Sequence, residues 1–138
     1  MKFVFSFDTL HFYFNGTNRW AVEKDNDSKG LAYIADEQDF VKILPLLKME
    51  FSDFMNKIQY GLFINFNGHE YEGKENTFPL YNLLCTALFS NSEYWVKLAL
   101  HWVPFVRFNL REELIKASMN SNYSQSVRHH AKKLAYAN

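Results

Sequence analysis

The chain has few of the features that identify many protein classes. Its single cysteine, Cys85, excludes an intramolecular disulfide and with it the framework typical of small secreted proteins. No apolar run approaches the ~20 residues that a transmembrane helix needs. The N-terminal MKFVFSFDTL lacks the apolar length and the cleavage site of a signal peptide. We therefore expect a cytoplasmic protein that does not act in a membrane.

Charge of one sign is not in excess, because 15 Lys and Arg residues balance 15 Asp and Glu residues. A neutral chain gives no general case for binding nucleic acid or an anionic membrane. The charges are unevenly distributed, however: residues 1–75 carry 12 acidic and 8 basic side chains, and residues 76–138 carry 3 acidic and 7 basic ones. The sequence therefore predicts an acidic and a basic part, either of which can attract a partner.

The motifs of common enzyme classes are missing. The chain contains no phosphate-binding GxxxxGK[ST] or GxGxxG, no metal-binding CxxC or HExxH and no GxSxG nucleophile motif. RWAV and FVRFN lack the glycines of an RNA-recognition motif. We therefore predict a protein that acts by binding a partner and is not an enzyme. We also expect it to use neither a cofactor nor a metal ion.

Aromatic residues, in contrast, are abundant, with 14 Phe, 8 Tyr and 3 Trp in a chain of 138 residues. This is more aromatic surface than one small core is expected to enclose, so part of it is predicted to lie in a groove or at an interface. The length fits a single domain, residues 1–138, with a core of its own.

The N-terminal third has the period-two pattern of β-strands. Phe3, Phe5 and Phe7 alternate with smaller or polar residues, which predicts a strand with one aromatic face. Asn15-Gly16 lies between two apolar runs and predicts a hairpin, because both residues tolerate a positive φ. A polar stretch, EKDNDSKG, and a short apolar run, LAYIA, follow.

From Asp36 onwards the pattern becomes helical. Asp36 is a predicted N-cap, and Pro45 is expected to kink or split the segment. The segment over residues 60–75 is ambiguous. Its apolar alternation, followed by Asn67-Gly68, suggests a further hairpin.

Four helices are predicted after residue 78, in FPLYNLLCTALFS, SEYWVKLALHWVPFV, NLREELIKASMN and SQSVRHHAKKLAYAN. Asn109 is the expected cap of the third, and Trp95, Leu98, Ala99 and Trp102 the inner face of the second. The predicted fold class is α+β: a small N-terminal antiparallel sheet or hairpins packed on a mainly helical C-terminal half of about four to six helices.

The run SQSVRHHAKKLA has the composition of a site, with two histidines among three cations. On a helix, adjacent residues point about 100° apart, so His129 and His130 do not share a metal ion. No His or acidic residue lies four positions from either of them. Val127, Ala131 and Leu134 are the predicted inner stripe. The outer side is a solvated face or an alternative partner-binding basic face, formed by Arg128, His129, Lys132 and Lys133.

Two acidic segments are further candidates. DNDSKGLAYIAD, residues 25–36, has the length of a calcium-binding EF-hand loop, but Lys29 occupies a position that needs an oxygen ligand. An acidic hairpin loop is therefore expected instead of a calcium site. HEYEGKE, residues 69–75, is interpreted as a solvated hairpin or an acidic recognition surface.

The general character of the chain resembles that of bacterial immunity proteins from polymorphic toxin and contact-dependent growth inhibition systems. The resemblance lies in the size, the short MKF start, the aromatic N-terminal strands, and a helical second half with EYWVKLALHWV and a closing YSQSVRHHAKKL. It covers most of the chain loosely and includes no diagnostic motif. It implies a cytoplasmic inhibitor that binds one cognate toxin domain, commonly a nuclease, and blocks its active site or substrate path.

Nuclease domains present cationic surfaces to phosphate, so an acidic partner surface is expected. The candidate residues are Asp25, Asp27, Asp36, Glu37, Asp39, Glu70, Glu72 and Glu75. One alternative is a nucleic-acid-binding or regulatory protein that uses the basic C-terminal helices, with Arg107, Arg111, Arg128, Lys132 and Lys133. Another is a small enzyme that uses His69, His129 or His130 with a carboxylate.

Overall fold

The computed structural model describes residues 1–67 and 70–137, and the chain divides into two compact units, Met1–Leu80 and Tyr81–Asn138. The single domain stays a prediction. Residues 76–80 are uncharged, so the boundary between the units is also the boundary of charge. The N-terminal unit carries the 12 acidic and 8 basic side chains, and the C-terminal unit the 3 acidic and 7 basic ones.

The N-terminal unit contains an antiparallel sheet of four strands in the order β1-β2-β3-β4. They are β1 (Lys2–Phe7), β2 (Leu10–Phe14), β3 (Trp20–Lys24) and β4 (Ala32–Tyr33). The Asn15 side chain accepts hydrogen bonds from the backbone N–H groups of Thr17, Asn18 and Arg19 at 2.8–3.0 Å. Gly16 has a φ of 91°, which glycine adopts readily. The hairpin predicted at Asn15-Gly16 is therefore confirmed.

One prediction for β1 is wrong. Phe5 is buried, but Phe3 is exposed and Phe7 only half-buried, so the three do not form one buried aromatic face. The pairing of β1 with β2 shifts register between Phe3 and Phe5, and Val4 is buried together with Phe5. An irregularity of this kind interrupts the strict alternation on which the prediction depended.

An aromatic cluster forms the core of the N-terminal unit. The Phe78 ring lies 5.3 Å from Phe54, 5.3 Å from Trp20 and 5.7 Å from Phe12, measured between ring centroids, in edge-to-face geometry. Phe5 stacks on Phe12 at 4.7 Å. Edge-to-face and offset arrangements are the favourable ones for aromatic pairs. The core thus absorbs part of the aromatic excess.

The first helical segment agrees with its prediction at both ends. Asp36 caps α1 (Glu37–Ile43), and Pro45 lies in a 3-10 segment, Leu44–Lys48, which separates α1 from α2 (Phe51–Asn65). Proline lacks the N–H that a continuous α-helix needs and clashes with the preceding turn. The chain therefore leaves the α-helical conformation between the two helices.

The hairpin suggested over residues 60–75 is wrong, because α2 continues to Asn65. Phe54, Ile58 and Leu62 are buried at intervals of four residues, which is helical spacing. The apparent alternation from Leu62 onwards combined one buried helical position with the exposed Ile64. The proposed turn at Asn67-Gly68 extends beyond the described residues, and a 3-10 segment, Lys74–Thr77, follows.

The C-terminal unit is helical, as predicted, and with four strands and six α-helices among the described residues the α+β class is confirmed. The four remaining helices are α3 (Leu80–Leu88), α4 (Glu93–Trp102), α5 (Arg111–Ser118) and α6 (Gln125–Ala135). None of the described helices is long and apolar enough to cross a membrane.

Three details of these helices differ from the predictions. In α4, the buried side chains are Val96, Ala99, Leu100 and Trp102, whereas Trp95 and Leu98 are only half-buried. In α5, the N-cap position is Leu110, although the Asn109 side chain accepts a hydrogen bond from the Arg111 N–H at 2.8 Å. In α6, Ala135 completes the buried stripe with Val127 and Ala131, and Leu134 is half-buried.

Candidate partner-binding surfaces

The acidic loop between β3 and α1 is largely neutralised by cations of its own unit. Asp27 pairs with Lys42 at 2.7 Å, and Lys29 pairs with Asp39 at 2.9 Å. The hydrogen bond from Lys42, followed by that from the Lys29 N–H, holds the pKa of Asp27 below its ordinary value. Lys29, which occupies a position where a calcium loop needs an oxygen ligand, is thus paired with a carboxylate. No group of three metal-ligating side chains occurs among residues 1–67 and 70–137.

Asp39, predicted as part of the acidic surface, is buried, with 2% of its surface exposed. Its carboxylate accepts hydrogen bonds from the Ala35 N–H at 3.0 Å, the Asp36 N–H at 3.1 Å and Lys29 Nζ at 2.9 Å. Its own N–H donates to Asp36 Oδ1, which completes a capping box at the start of α1. Asp39 therefore holds the loop and the helix together and does not present its carboxylate to a partner.

Burial alone would raise the pKa of Asp39, but the hydrogen bonds from Asp36, Lys29 and Ala35 outweigh burial and hold the pKa far below its usual range. A carboxyl group with a depressed pKa stabilises the folded state above its unfolded pKa of about 3.9. This contribution is lost as the pH falls from there through the folded pKa.

We expect Asp39→Asn to lower the free energy of unfolding by about 2 kcal/mol at pH 7, because it removes a charge-assisted acceptor of three hydrogen bonds. Urea unfolding at several pH values measures the difference from the unsubstituted protein, which should shrink as the pH falls below about 4. Glu37→Gln, at an exposed acid of the same helix, is the matched control and should change little. A difference that stays constant down to pH 2 would contradict the assignment.

The other predicted acids lie nearer the surface. Asp25, Asp36, Glu37, Glu70 and Glu72 are exposed, and Glu75 is half-buried. Asp25 lies 2.8 Å from His11 Nε2, and Asp36 is engaged in the capping box. Five of the predicted acids are therefore exposed, whereas Asp39 is buried and Asp27 is held by Lys42.

An exposed apolar strip lies on α2 beside the segment that carries Glu70 and Glu72, and sequence analysis did not find it. Tyr60, Phe63 and Ile64, here named the α2 strip, are 65%, 61% and 56% exposed. Their spacing of three and four residues places them on one helix face. The Tyr71 ring packs edge-to-face on Phe63 at 5.8 Å, so the segment with Glu70 and Glu72 adjoins the strip. The helical spacing would have revealed it, had the segment not been interpreted as a hairpin.

Most of the predicted basic face of α6 is accessible. His129, Lys132 and Lys133 are exposed, whereas Arg128 is half-buried. Its Nε atom is buried and has no hydrogen-bond partner in the described part of the chain. At His130, partial burial of the imidazole ring lowers the pKa, and the nearby His101 and Lys133 lower this pKa further. The two neighbours that shift this pKa are both bases, and the enzyme alternative stays a prediction. His69 lies outside the described residues.

A cleft of about 490 Å³ opens in the C-terminal unit beside α5 and α6. Its walls include Val106, Phe108, Leu110, Leu114, Leu134 and Tyr136. Arg111 also lines it, with the guanidinium carbon 4.9 Å from the centre of the Tyr136 ring. Tyr136 and Ala137 are shared with a neighbouring depression that His129, Lys132 and Lys133 line. The predicted basic face and the cleft are therefore adjacent.

The sheet carries a hydrogen-bonded Ser–His–Asp chain that sequence analysis also missed. Ser6 Oγ lies 2.6 Å from His11 Nδ1, and His11 Nε2 lies 2.8 Å from Asp25 Oδ1. An ionised carboxylate only accepts, so Nε2 donates to Asp25, and in the neutral form of the ring Nδ1 accepts from the Ser6 hydroxyl. None of the three residues lines the cleft or its neighbouring depression. These hydrogen bonds tie β1 and β2 to the acidic loop.

The chain matches no protein-family model, no curated protein and no solved structure.

Proposed function

We propose that this protein is a non-enzymatic cytoplasmic immunity protein that binds and neutralises one cognate toxin domain, a nuclease, by covering its active site or substrate path. The observation that carries the proposal is the exposed α2 strip with its acidic neighbours on the negatively charged unit. The proposal also depends on the resemblance in sequence character described above.

The α2 strip has the anatomy of an interface centre. Stable protein interfaces place aromatic and aliphatic side chains at the centre and polar groups around them. Tyr60 and Phe63 supply the aromatic groups, and Glu70 and Glu72 lie on the adjoining segment as part of a polar rim. An apolar patch that stays exposed in a protein with a well-filled core is a feature that binding explains.

The charge of the N-terminal unit favours a cationic partner. Its excess of four acidic groups creates a field that attracts a phosphate-binding surface over distances of about 10 Å at moderate salt. Such steering acts mainly on the association rate, whereas the apolar contacts act mainly on dissociation. The two parts of the proposed surface therefore have separable kinetic effects.

The experiment requires a toxin gene next to the gene for this protein, and it measures binding kinetics with the C-terminal domain of that toxin. Glu70→Lys with Glu72→Lys is expected to slow association about tenfold at low salt and much less at about 0.5 M salt. The control changes only one acid of α5, because Glu113 in that helix accepts a hydrogen bond from Tyr81. Glu112→Lys alone, at an exposed acid of the basic unit, is the control and should leave association nearly unchanged.

The apolar part is tested separately with Phe63→Ala, which is expected to accelerate dissociation about tenfold or more if Phe63 is a central anchor. Equal association rates for the double charge reversal and the unsubstituted protein at low salt would exclude the acidic rim. An unchanged dissociation rate for Phe63→Ala would exclude the α2 strip as the centre of the interface.

A further inference from the structure

The cleft of the C-terminal unit has a composition that the proposed toxin inhibition does not use. Its lining combines aliphatic and aromatic side chains with the polar Asn109, and of the described residues that line it, Arg111 is the only charged one. Ligand pockets commonly combine a mainly apolar wall with a few polar groups that fix orientation, at volumes of about 300–1,000 Å³. A cleft of about 490 Å³ has the size for a small organic molecule.

The charge around the cleft selects an anion. Glu113 accepts a hydrogen bond from Tyr81 at 2.6 Å, and Glu93 accepts one from the Ser124 N–H, so two of the three acids of this unit have partners within it. Lys132 and Lys133 line the adjoining depression, which adds positive charge on the side that Tyr136 shares. Arg111 and the two lysines of the adjoining depression therefore favour an anion in the cleft.

Arg111 is partly held in place by an aromatic neighbour. Its guanidinium packs against the Tyr136 ring, which restrains the side chain before a ligand arrives. A guanidinium held against an aromatic ring still has N–H groups at its edge, and these match a carboxylate in a two-bond geometry. The restraint lowers the entropy that ligand binding would otherwise cost.

We propose that this cleft binds a small organic carboxylate with an aromatic or aliphatic body. Arg111 holds the carboxylate, and Phe108, Leu114, Leu134 and Tyr136 surround the apolar body. The ligand site lies on the unit opposite in charge to the one proposed to bind the toxin, so either assignment can fail without the other.

The test uses 2-naphthoate as the probe, because it combines an aromatic body with a carboxylate, and follows its fluorescence anisotropy with the full-length chain. Saturable binding is expected, about tenfold weaker for Arg111→Gln. The neutral analogue 2-naphthalenemethanol should bind the unsubstituted protein about tenfold more weakly than 2-naphthoate does. Arg107→Gln, at an exposed arginine that does not line the cleft, is the matched control and should retain full affinity. Ala137→Trp, which fills the cleft from its rim, should abolish binding.

Three results would overturn the proposal. The first is no saturable binding of 2-naphthoate to the unsubstituted protein. The second is equal affinity for the acid and the alcohol, or equal losses for Arg111→Gln and Arg107→Gln. The third is displacement of 2-naphthoate by single-stranded oligothymidylate with a steep dependence on salt, which would make the cleft part of a nucleic-acid surface. Thermal unfolding of each variant confirms that it is folded.

Discussion

Replacing Gly61 with alanine is expected to lower the free energy of unfolding by about 3 kcal/mol or more, although the change adds one methyl group. Gly61 is buried in α2, where the helix packs against β1. A Cβ atom at this position would overlap the carbonyl oxygen of Val4 and lie 2.7 Å from its carbonyl carbon. The obstacle is backbone, so no side-chain rotation relieves it, and the helix must move away from the sheet.

Urea unfolding measures this effect, with Gln59→Ala as the control for an added helix-favouring alanine at an exposed position of α2. Because the carbonyl group of Val4 is the main obstacle, the double variant Gly61→Ala with Val4→Ala should be no more stable than Gly61→Ala. Recovery of stability in the double variant would show that the Val4 side chain, and not the backbone, limits the approach of α2. A loss below about 1 kcal/mol would contradict the close approach itself.

Phe78→Ala is expected to cost about 3–5 kcal/mol, which is the usual range for removing a buried phenylalanine ring. The side chain is 3% exposed, and its ring contacts those of Phe12, Trp20 and Phe54. Its removal takes away the apolar surface of the ring and leaves a cavity among rigid aromatic neighbours that cannot collapse into it. The substitution should also change the fluorescence of Trp20, because the two rings lie 5.3 Å apart.

Phe63→Ala removes the same side chain from an exposed position of the same unit and should cost less than about 0.5 kcal/mol. The comparison separates the two roles that phenylalanine has in this protein, core packing at Phe78 and partner contact at Phe63. Similar losses of stability for the two substitutions would mean that the Phe63 ring is packed rather than available to a partner.

Local signals of the chain predicted the fold best where one interaction dominated. Asn15-Gly16, Asp36 and Pro45 act through positive φ, helix capping and a missing N–H, all of which operate within a few residues. The C-terminal part of α2 was predicted wrongly because its outward face is also apolar. With Ile64 exposed beside the buried Leu62, helical spacing and alternation give the same short pattern.

The acidic surface was predictable only in part, because sequence does not show which charges find each other. Asp39 looked like a surface acid but is the buried partner of Lys29, ten residues away. Lys42 reaches back to Asp27 across the start of α1. Charge counts gave the correct polarity of the two units, whereas the number of acids available to a partner depends on these pairings.

The α2 strip and the C-terminal cleft were not predicted for a related reason. The strip consists of three side chains on one face of a helix, and the cleft is lined by residues between 103 and 137 that folding brings together. The abundance of aromatic residues suggested that some would be exposed, and Tyr60, Phe63 and Tyr136 are. Composition predicted that some aromatic residues are exposed, whereas the fold was needed to show which ones.

Growth of cells that express a toxin domain encoded next to the gene for this protein tests the central claim most directly. We expect co-expression of the unsubstituted protein to restore growth, and the triple variant Tyr60→Ala, Phe63→Ala, Ile64→Ala to fail while remaining folded. The triple variant Tyr94→Ala, Phe89→Ala, Met119→Ala, with exposed apolar residues of the basic unit removed, is the control and should still protect. Failure of the unsubstituted protein to protect, or full protection by the α2-strip variant, would contradict the account.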